Sequence, residues 1–179
     1  MTHIIDLKEL RKIGRPIGKV SDDKLDAFVT EAEQLHIKPV IGDRLFLELL
    51  KEVEKGENDE KNKDLQMLLS GGTYTINEGC EGETLKGFVG LRVALSYFVY
   101  AQNLMVGDIE STRYGNVIKE GDYSSHVSSK ARSDAYNNTV QVANAYMKEC
   151  LEYCRSKGLI KVAGKPKATI GGITIKRIG

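Results

Sequence analysis

The stretch LKGFVGLRVALSYFVYAQNLMV, residues 85–106, decides how the rest of this chain folds. Apolar side chains cover almost every face of the helix that it would form, and such a helix belongs inside a domain. At 1.5 Å per residue it would be roughly 33 Å long, enough to cross a small domain. Arg92, Lys86, Ser96 and Gln102 argue against a membrane span, because such groups are costly in lipid. We therefore predict a buried central helix, with Arg92 either paired with an acid or reaching the surface along its stem.

The length of the chain favours a single domain, and its charge is nearly balanced. The chain has 179 residues and a formal net charge of +1, so it can bury a sizeable core and has no excess charge that demands nucleic acid or an acidic partner. The N-terminal MTHIIDLKEL lacks the apolar run of a signal peptide, and we expect synthesis in a cytosol.

The chain has three cysteines, Cys80, Cys150 and Cys154, and this low, odd number argues against a disulfide framework. Cys150 and Cys154 share one face of a predicted helix, but no second ligand pair completes a metal site. We expect them to be small apolar core residues.

Periodic apolar residues predict three helices before the central one. The first begins at Ser21, a favourable N-cap, and reaches about Leu35. The sequence HIKPVIGD interrupts the pattern, and the next helix covers residues 44–55 with Asp43 as its cap. A short third helix ends in LQMLLS, and a strand-prone TYTI follows. Residues 1–20 are predicted to form an N-terminal arm with one short element.

A long non-helical connection follows the central helix, and such loops are usually functional or contact a partner. Val117 and Ile118 within it are predicted to pair as a short strand. The last helix covers residues 128–157 and ends at Gly158. Its apolar face, which would pack on the domain core or on a neighbouring subunit, consists of Tyr136, Val140, Ala143, Met147, Cys150 and Cys154.

Residues 158–179 differ in kind from the helical domain, 21–157, because they carry five cations and no acid. Residues 168–170 and 173–175 are β-prone, and a two-stranded ribbon alone is marginal in water. The ribbon either packs back on the domain or docks on another chain by adding strands, and we favour an extended arm.

Catalytic signatures are absent from the sequence. It contains no metalloprotease HExxH, no GxSxG elbow, no phosphate-binding loop and no dinucleotide fingerprint, and its three histidines are scattered. We therefore expect a non-enzymatic protein with no cofactor and no metal site.

Three motifs, in this order, resemble the small head–tail adaptor proteins of tailed bacteriophages, in particular those of the crAss-like phages of gut Bacteroidota. They are IKPVIGD at residues 37–43, GGTYT at residues 71–75 before the long apolar helix, and TRYGNVIK at residues 112–119 before the last helix. The resemblance covers roughly residues 21–157, and its motifs are structural.

The resemblance implies a mainly α-helical subunit that forms a homo-oligomeric ring, commonly of twelve copies, beneath the portal in the neck of the virion. The ring would extend the DNA channel, let DNA pass without sequence-specific binding, and offer a platform to the next neck or tail protein. It implies no membrane and synthesis in the bacterial host cytoplasm.

Two candidate interfaces follow from the resemblance. Terminal segments of such adaptors often reach onto the portal, which assigns the portal contact to Lys161, Lys165, Lys167, Ile170, Ile173, Ile175, Lys176 and Arg177. The long loop is assigned to a neighbouring subunit or the next ring through Arg113, Tyr114, Val117, Ile118 and Tyr123. The alternative is a helical nucleic-acid-binding protein whose basic tail grips DNA, although no helix carries a basic cluster.

Overall fold

The computed structural model describes residues 2–18, 20–55, 59–77, 83–106, 109–113, 115–118, 127–160, 169–170 and 173–174. The predicted mainly α fold is confirmed. The elements in chain order are α1 (Leu7–Leu10), α2 (Asp22–Ala32), a π-helix (Glu33–Ile37), α3 (Lys38–Ile41), α4 (Asp43–Glu54), α5 (Lys63–Ser70), β1 (Gly72–Asn77), β2 (Glu83–Phe88), α6 (Leu91–Val106), β3 (Ile109–Thr112), β4 (Gly115–Ile118), α7 (Ser129–Ser156), β5 (Thr169–Ile170) and β6 (Ile173–Thr174).

The strands form three antiparallel hairpins, β1–β2, β3–β4 and β5–β6. The predicted strand at Val117 and Ile118 is confirmed, because these residues pair with Glu110 and Ile109. None of the helices in the described part of the chain has the length and apolar character needed to span a membrane.

The central helix is buried as predicted, but it is shorter than the sequence indicated. Helix α6 begins at Leu91, and residues 85–88 belong to β2, which pairs with β1. Gly90 separates strand from helix with φ +90°, and a Cβ there would lie 2.4 Å from the Gly71 backbone nitrogen. The unbroken apolar run concealed this boundary, because apolar periodicity alone does not separate a half-buried strand from a buried helix. The fully buried side chains of α6 include Leu91, Ala94, Leu95, Phe98 and Val99.

The predicted pairing of Arg92 is confirmed. Its Nη1 lies 3.1 Å from Oε2 of Glu9, and its Nε donates to the backbone oxygen of Ile4 at 2.9 Å. Arg92 therefore fastens the N-terminal residues to the central helix.

The N-terminal segment belongs to the core, and its interpretation as an arm was wrong. Ile4, Ile5 and Leu10 are fully buried, and Gly14 lies against Ser96 of α6. The short element expected here is α1. These apolar residues have no periodicity of their own, so only their tertiary partners reveal that they are core residues.

The first predicted helix does not stop at Leu35. Helix α2 runs on into the π-helix and α3, and the wider π turn changes which side chains point inward. Leu35, which the three-and-four spacing of apolar residues places on the inner face of the predicted helix, is 61% exposed, whereas Glu33 and Ile37 are buried. The His36 ring stacks on Phe98 of α6 with the ring centroids 4.3 Å apart.

Glu33 therefore carries a carboxylate into the core. Its Oε1 accepts from the backbone N–H of Ile4 at 2.7 Å, and its Oε2 lies 2.9 Å from Nδ1 of His3. The other ring nitrogen of His3 lies 3.0 Å from Oδ1 of Asp26. A buried carboxylate needs hydrogen-bonding partners, and Glu33 has its partners Ile4 and His3 in the N-terminal segment. The cluster therefore holds this segment against α2 and the π-helix.

A second buried carboxylate joins α4 to α5. Glu52 accepts from the backbone N–H of Asn62 at 2.7 Å and from the Gln66 amide at 3.1 Å, and it lies 2.8 Å from Nζ of Lys55. Burial by itself raises the pKa of Glu52, but these hydrogen bonds and the lysine charge outweigh it, so the pKa is lowered from 4.5. The Asn62 side chain also caps α5 by accepting from two backbone N–H groups.

Helix α7 confirms the prediction for residues 128–157. Ser128 caps it, and Ala143, Met147, Cys150 and Cys154 are buried against the core as their spacing indicated. Burial raises the pKa of both thiols to about 12. Cys80 lies outside the described residues. Helix α7 runs antiparallel to α6, since Arg132 near its start donates to the Met105 carbonyl at 3.3 Å.

Candidate interaction surface

An open groove lies between α3–α4 and the end of α7 and is called here the α3–α7 groove. Its volume is about 710 Å³. Ile41 and Leu45 are buried in its floor, and Val40 on its rim is 45% exposed. The groove is lined by Pro39, Val40, Ile41, Gly42, Arg44, Leu45, Leu151, Arg155, Leu159 and Ile160.

One wall of the groove is the IKPVIGD turn. Gly42 joins α3 to α4 with φ +84°, a conformation that strongly favours glycine. Gly42, not Asp43 as predicted, is the N-cap residue of α4. The turn directs Pro39 and Val40 outward while Ile41 points inward, so a short sequence supplies both the rim and the floor.

The opposite wall is the C-terminal end of α7. Gly158 has φ +67°, its N–H donates to the Arg155 carbonyl, and the N–H of Leu159 donates to the Cys154 carbonyl at 2.9 Å. This double hydrogen bond is a Schellman motif, which reverses the chain at the end of a helix. Leu159 and Ile160 consequently fold back onto the core. Leu159 and Ile160, which were predicted to belong to the C-terminal arm, therefore pack with the helices.

Arg44 ties the two walls together. Its Nη2 donates to the Leu159 carbonyl at 2.9 Å, across 115 positions of sequence. The backbone of Leu159 is thus fixed through both its N–H and its carbonyl. The chain after Ile160 starts from a rigid point inside the groove.

Positive charge lines the rim of the groove. Arg44 is exposed, and its Nη1 lies 4.0 Å from Oε1 of Glu48. Arg155 is exposed and has no ion-pair partner among the described residues. The groove therefore combines an apolar floor with a cationic edge, which suits an apolar segment that carries a carboxylate.

The predicted portal-contact residues lie only partly within the described structure. Ile170 and Ile173 are backbone partners in the antiparallel β5–β6 pair, as the β-prone sequence indicated. The remaining members of that set lie outside the described residues: Lys161, Lys165, Lys167, Ile175, Lys176 and Arg177.

The predicted contact residues of the long loop fall on the β3–β4 hairpin. Val117 and Ile118 lie in β4, and Arg113 is exposed in the turn that joins the strands. Tyr114 and Tyr123 lie outside the described residues. The structure thus brings three of the five together on one hairpin.

The hairpin and the C-terminal segment leave the helical body at opposite ends of α7. The hairpin follows Val106, at the end of α6 that Arg132 holds to the first turns of α7. The C-terminal segment leaves the groove at the other end. Residues 132 and 156 are roughly 36 Å apart along the helix axis at 1.5 Å per residue. Exposed apolar side chains also mark the hairpin end, namely Met105, Val106 and Val127.

A family model matches residues 37–161, which is more than half of the chain. The chain belongs to DUF6712, a family of unknown function. The match to DUF6712 begins at Ile37 and ends at Lys161, so it includes every residue that lines the α3–α7 groove. Searches of curated proteins and of solved structures found no match to this chain.

Sequence reasoning missed the groove. It did not connect IKPVIGD with the end of α7. The signal available in the sequence was a pair of glycine turns, at Gly42 and Gly158, each beside a cation and apolar residues. That signal does not say that the two turns meet, because only tertiary packing brings them together.

Proposed function

We propose that this protein is a structural subunit of the neck of a tailed bacteriophage. It acts as a head–tail adaptor that forms a homo-oligomeric ring, commonly of twelve copies, under the portal. The ring extends the DNA channel and offers a platform to the next neck or tail protein. In this role the protein binds partners and performs no catalysis.

The observation that carries the proposal is the placement of the two candidate contact segments. A subunit between two layers needs unlike surfaces at its two ends, and a ring needs two different patches for its two neighbours. Here a helix of 28 residues separates the β3–β4 hairpin from the base of the C-terminal segment. The packed core of α6 and α7 between them is a rigid spacer.

The C-terminal segment is the proposed portal contact. It starts from a fixed point, because Arg44 and the Schellman turn hold Leu159. Its isoleucines pair as a short ribbon that is too small to be stable alone and is suited to adding strands to another chain. Ordering of such a segment on the portal offsets part of the contact energy.

The test is portal decoration by a protein that ends at Ile160. Purified full-length protein, mixed with portal rings from the same genome and viewed by electron microscopy, should add a ring to the portal. The truncated protein should keep its helical circular dichroism and melting temperature, because Leu159 and Ile160 remain, but should leave portals bare. Truncated protein that still decorates portals would disprove the arm assignment. Full-length protein that never associates with portals would disprove the adaptor function.

Two matched tail variants separate portal docking from DNA binding. One replaces the five cations of residues 161–179 with glutamine, and the other replaces Ile170, Ile173 and Ile175 with serine. Portal docking through added strands should fail in the isoleucine variant. If the tail instead grips duplex DNA, the glutamine variant should lose affinity. The plot of log affinity against log salt for the wild type should then have a negative slope no steeper than about −4.5, from about 0.9 per neutralised phosphate and five cations.

A further inference from the structure

The β1–β2 hairpin has two unlike faces. Tyr74 and Phe88 on its inner face are buried against Tyr153 of α7, with ring centroids 5.1 and 4.7 Å from that of Tyr153. Lys86 on the same face lies 3.7 Å from Glu152. The hairpin is thereby fixed to the last turns of α7.

The outer face of the hairpin is exposed and carries an apolar residue beside an acid. Side chains alternate along a strand, so Glu83 and Leu85 point to the same side, away from Phe88. Leu85 is 71% exposed, more than any other large apolar side chain described, and Val89 just beyond the strand is 38% exposed. The outer face of the hairpin therefore presents the exposed side chain of Leu85 with the carboxylate of Glu83 beside it.

The α3–α7 groove has the complementary chemistry. Its floor is apolar, and Arg155 at its edge has no ion-pair partner among the described residues. A volume of about 710 Å³ exceeds what one leucine side chain needs, so part of a strand can enter with it.

The two surfaces meet α7 on neighbouring sides, and Arg155 borders both, because it lines the groove and also a smaller cleft with Ile76 and Lys86 of its own hairpin. Leu151 lines the groove, whereas Glu152 contacts the hairpin, and successive residues of a helix are about 100° apart. The outer face of the hairpin points away from its own domain. The outer face of the hairpin would therefore meet the α3–α7 groove of a second copy of the chain. Such a contact is head-to-tail and repeats from subunit to subunit.

We propose that the outer face of the β1–β2 hairpin of one subunit docks in the α3–α7 groove of its neighbour, with Leu85 on the apolar floor and Glu83 paired with Arg155. This interface rests on the proposed ring and supplies its subunit contact. The chain's own C-terminal segment is a poorer occupant, because its five cations would meet Arg44 and Arg155.

The test is self-association of full-length protein without portal, followed by sedimentation velocity over a range of concentrations. Leu85→Asp, Glu83→Arg and Arg155→Glu should each weaken association by about tenfold or more, as expected for central interface residues. The double variant Glu83→Arg with Arg155→Glu should recover most of the loss, since the pair is restored with its charges exchanged. Leu35→Asp, at an exposed apolar residue that lies in neither the groove lining nor the hairpin, is the matched control and should associate like wild type.

Each outcome decides the proposal. Wild-type protein that associates while the hairpin and groove variants behave like wild type would overturn this interface and leave the ring in place. Wild-type protein that is monomeric at every concentration would also overturn it, whereas portal decoration separately decides the adaptor function. Loss of association only on deletion of residues 161–179 would show that the tail occupies the groove. Circular dichroism verifies folding of each variant, which is expected because Leu85, Glu83 and Arg155 are exposed.

Discussion

Replacing Glu33 with alanine is expected to lower the free energy of unfolding by about 3 kcal/mol. The buried carboxylate accepts one hydrogen bond from the Ile4 N–H and contacts His3, and hydrogen bonds to a charged group are worth about 1.5–3 kcal/mol each. Alanine also leaves the buried Ile4 N–H without an acceptor. Relief of carboxylate desolvation offsets part of this loss, which places the net effect at the lower end of about 3–5 kcal/mol for breaking a buried charged contact.

Two matched variants test the mechanism of that loss. Glu33→Gln keeps an oxygen for the Ile4 N–H and an amide nitrogen for His3, so it should cost only about 1 kcal/mol. Asp26 is the other partner of His3, and its side chain is 47% exposed. Asp26→Asn should therefore lower the free energy of unfolding by at most about 1 kcal/mol.

The assay is urea unfolding followed by far-UV circular dichroism, at one protein concentration for all variants. A loss of about 3 kcal/mol should lower the melting temperature by about 6–12 °C in a domain of this size. Amide hydrogen exchange should accelerate first in residues 4–10, because Glu33 anchors them. An alanine variant within about 1 kcal/mol of wild type, with unchanged exchange there, would refute the claim that this cluster holds the N-terminal segment.

Two further predictions concern acid stability and a glycine turn. Because the pKa of Glu52 is lowered by folding, its stabilisation is complete above the ordinary value of 4.5 and is lost as the pH falls through the lower folded value. Melting temperatures of wild type and Glu52→Gln should therefore converge in strong acid, and parallel pH curves would contradict this. Gly90→Ala should destabilise by more than about 1 kcal/mol, because its φ is positive and a Cβ meets backbone. Gly18→Ala, where a Cβ meets nothing, is its control, and equal melting temperatures for the two variants would count against the strain argument.

The sequence predicted those elements whose signals lie within a few residues of each other. Helix α7 is bounded by Ser128 and Gly158 and has an unbroken apolar spacing, so both its ends and its buried face were predicted. The end of helix α5 was predicted from Gly71 and Gly72, whereas the sequence offered Asp59 and Asn62 as alternative starts, and Asn62 is the N-cap. In each case the cap, the periodicity and the turn residue agree, and the information is local.

The candidate site could be predicted only in part. The β-prone residues Ile170 and Ile173 and the hairpin residues Val117 and Ile118 were found from composition, since strand propensity is visible in short segments. The groove was not found, because it needs Arg44 and Leu159 to meet. No local pattern encodes a hydrogen bond between residues so far apart in sequence.

The amino-acid sequence alone determined that this is a mainly helical chain with a buried central helix, a long last helix and a basic C-terminal segment. Tertiary structure decided that residues 85–88 form a strand, because β1 provides their hydrogen-bonding partners. It also decided that Ile4 is a core residue, and that a π turn carries Glu33 inward to hold it. The physical reason is the same in each case: local conformational preferences are encoded by neighbouring residues, whereas burial and pairing depend on groups that folding brings from elsewhere in the chain.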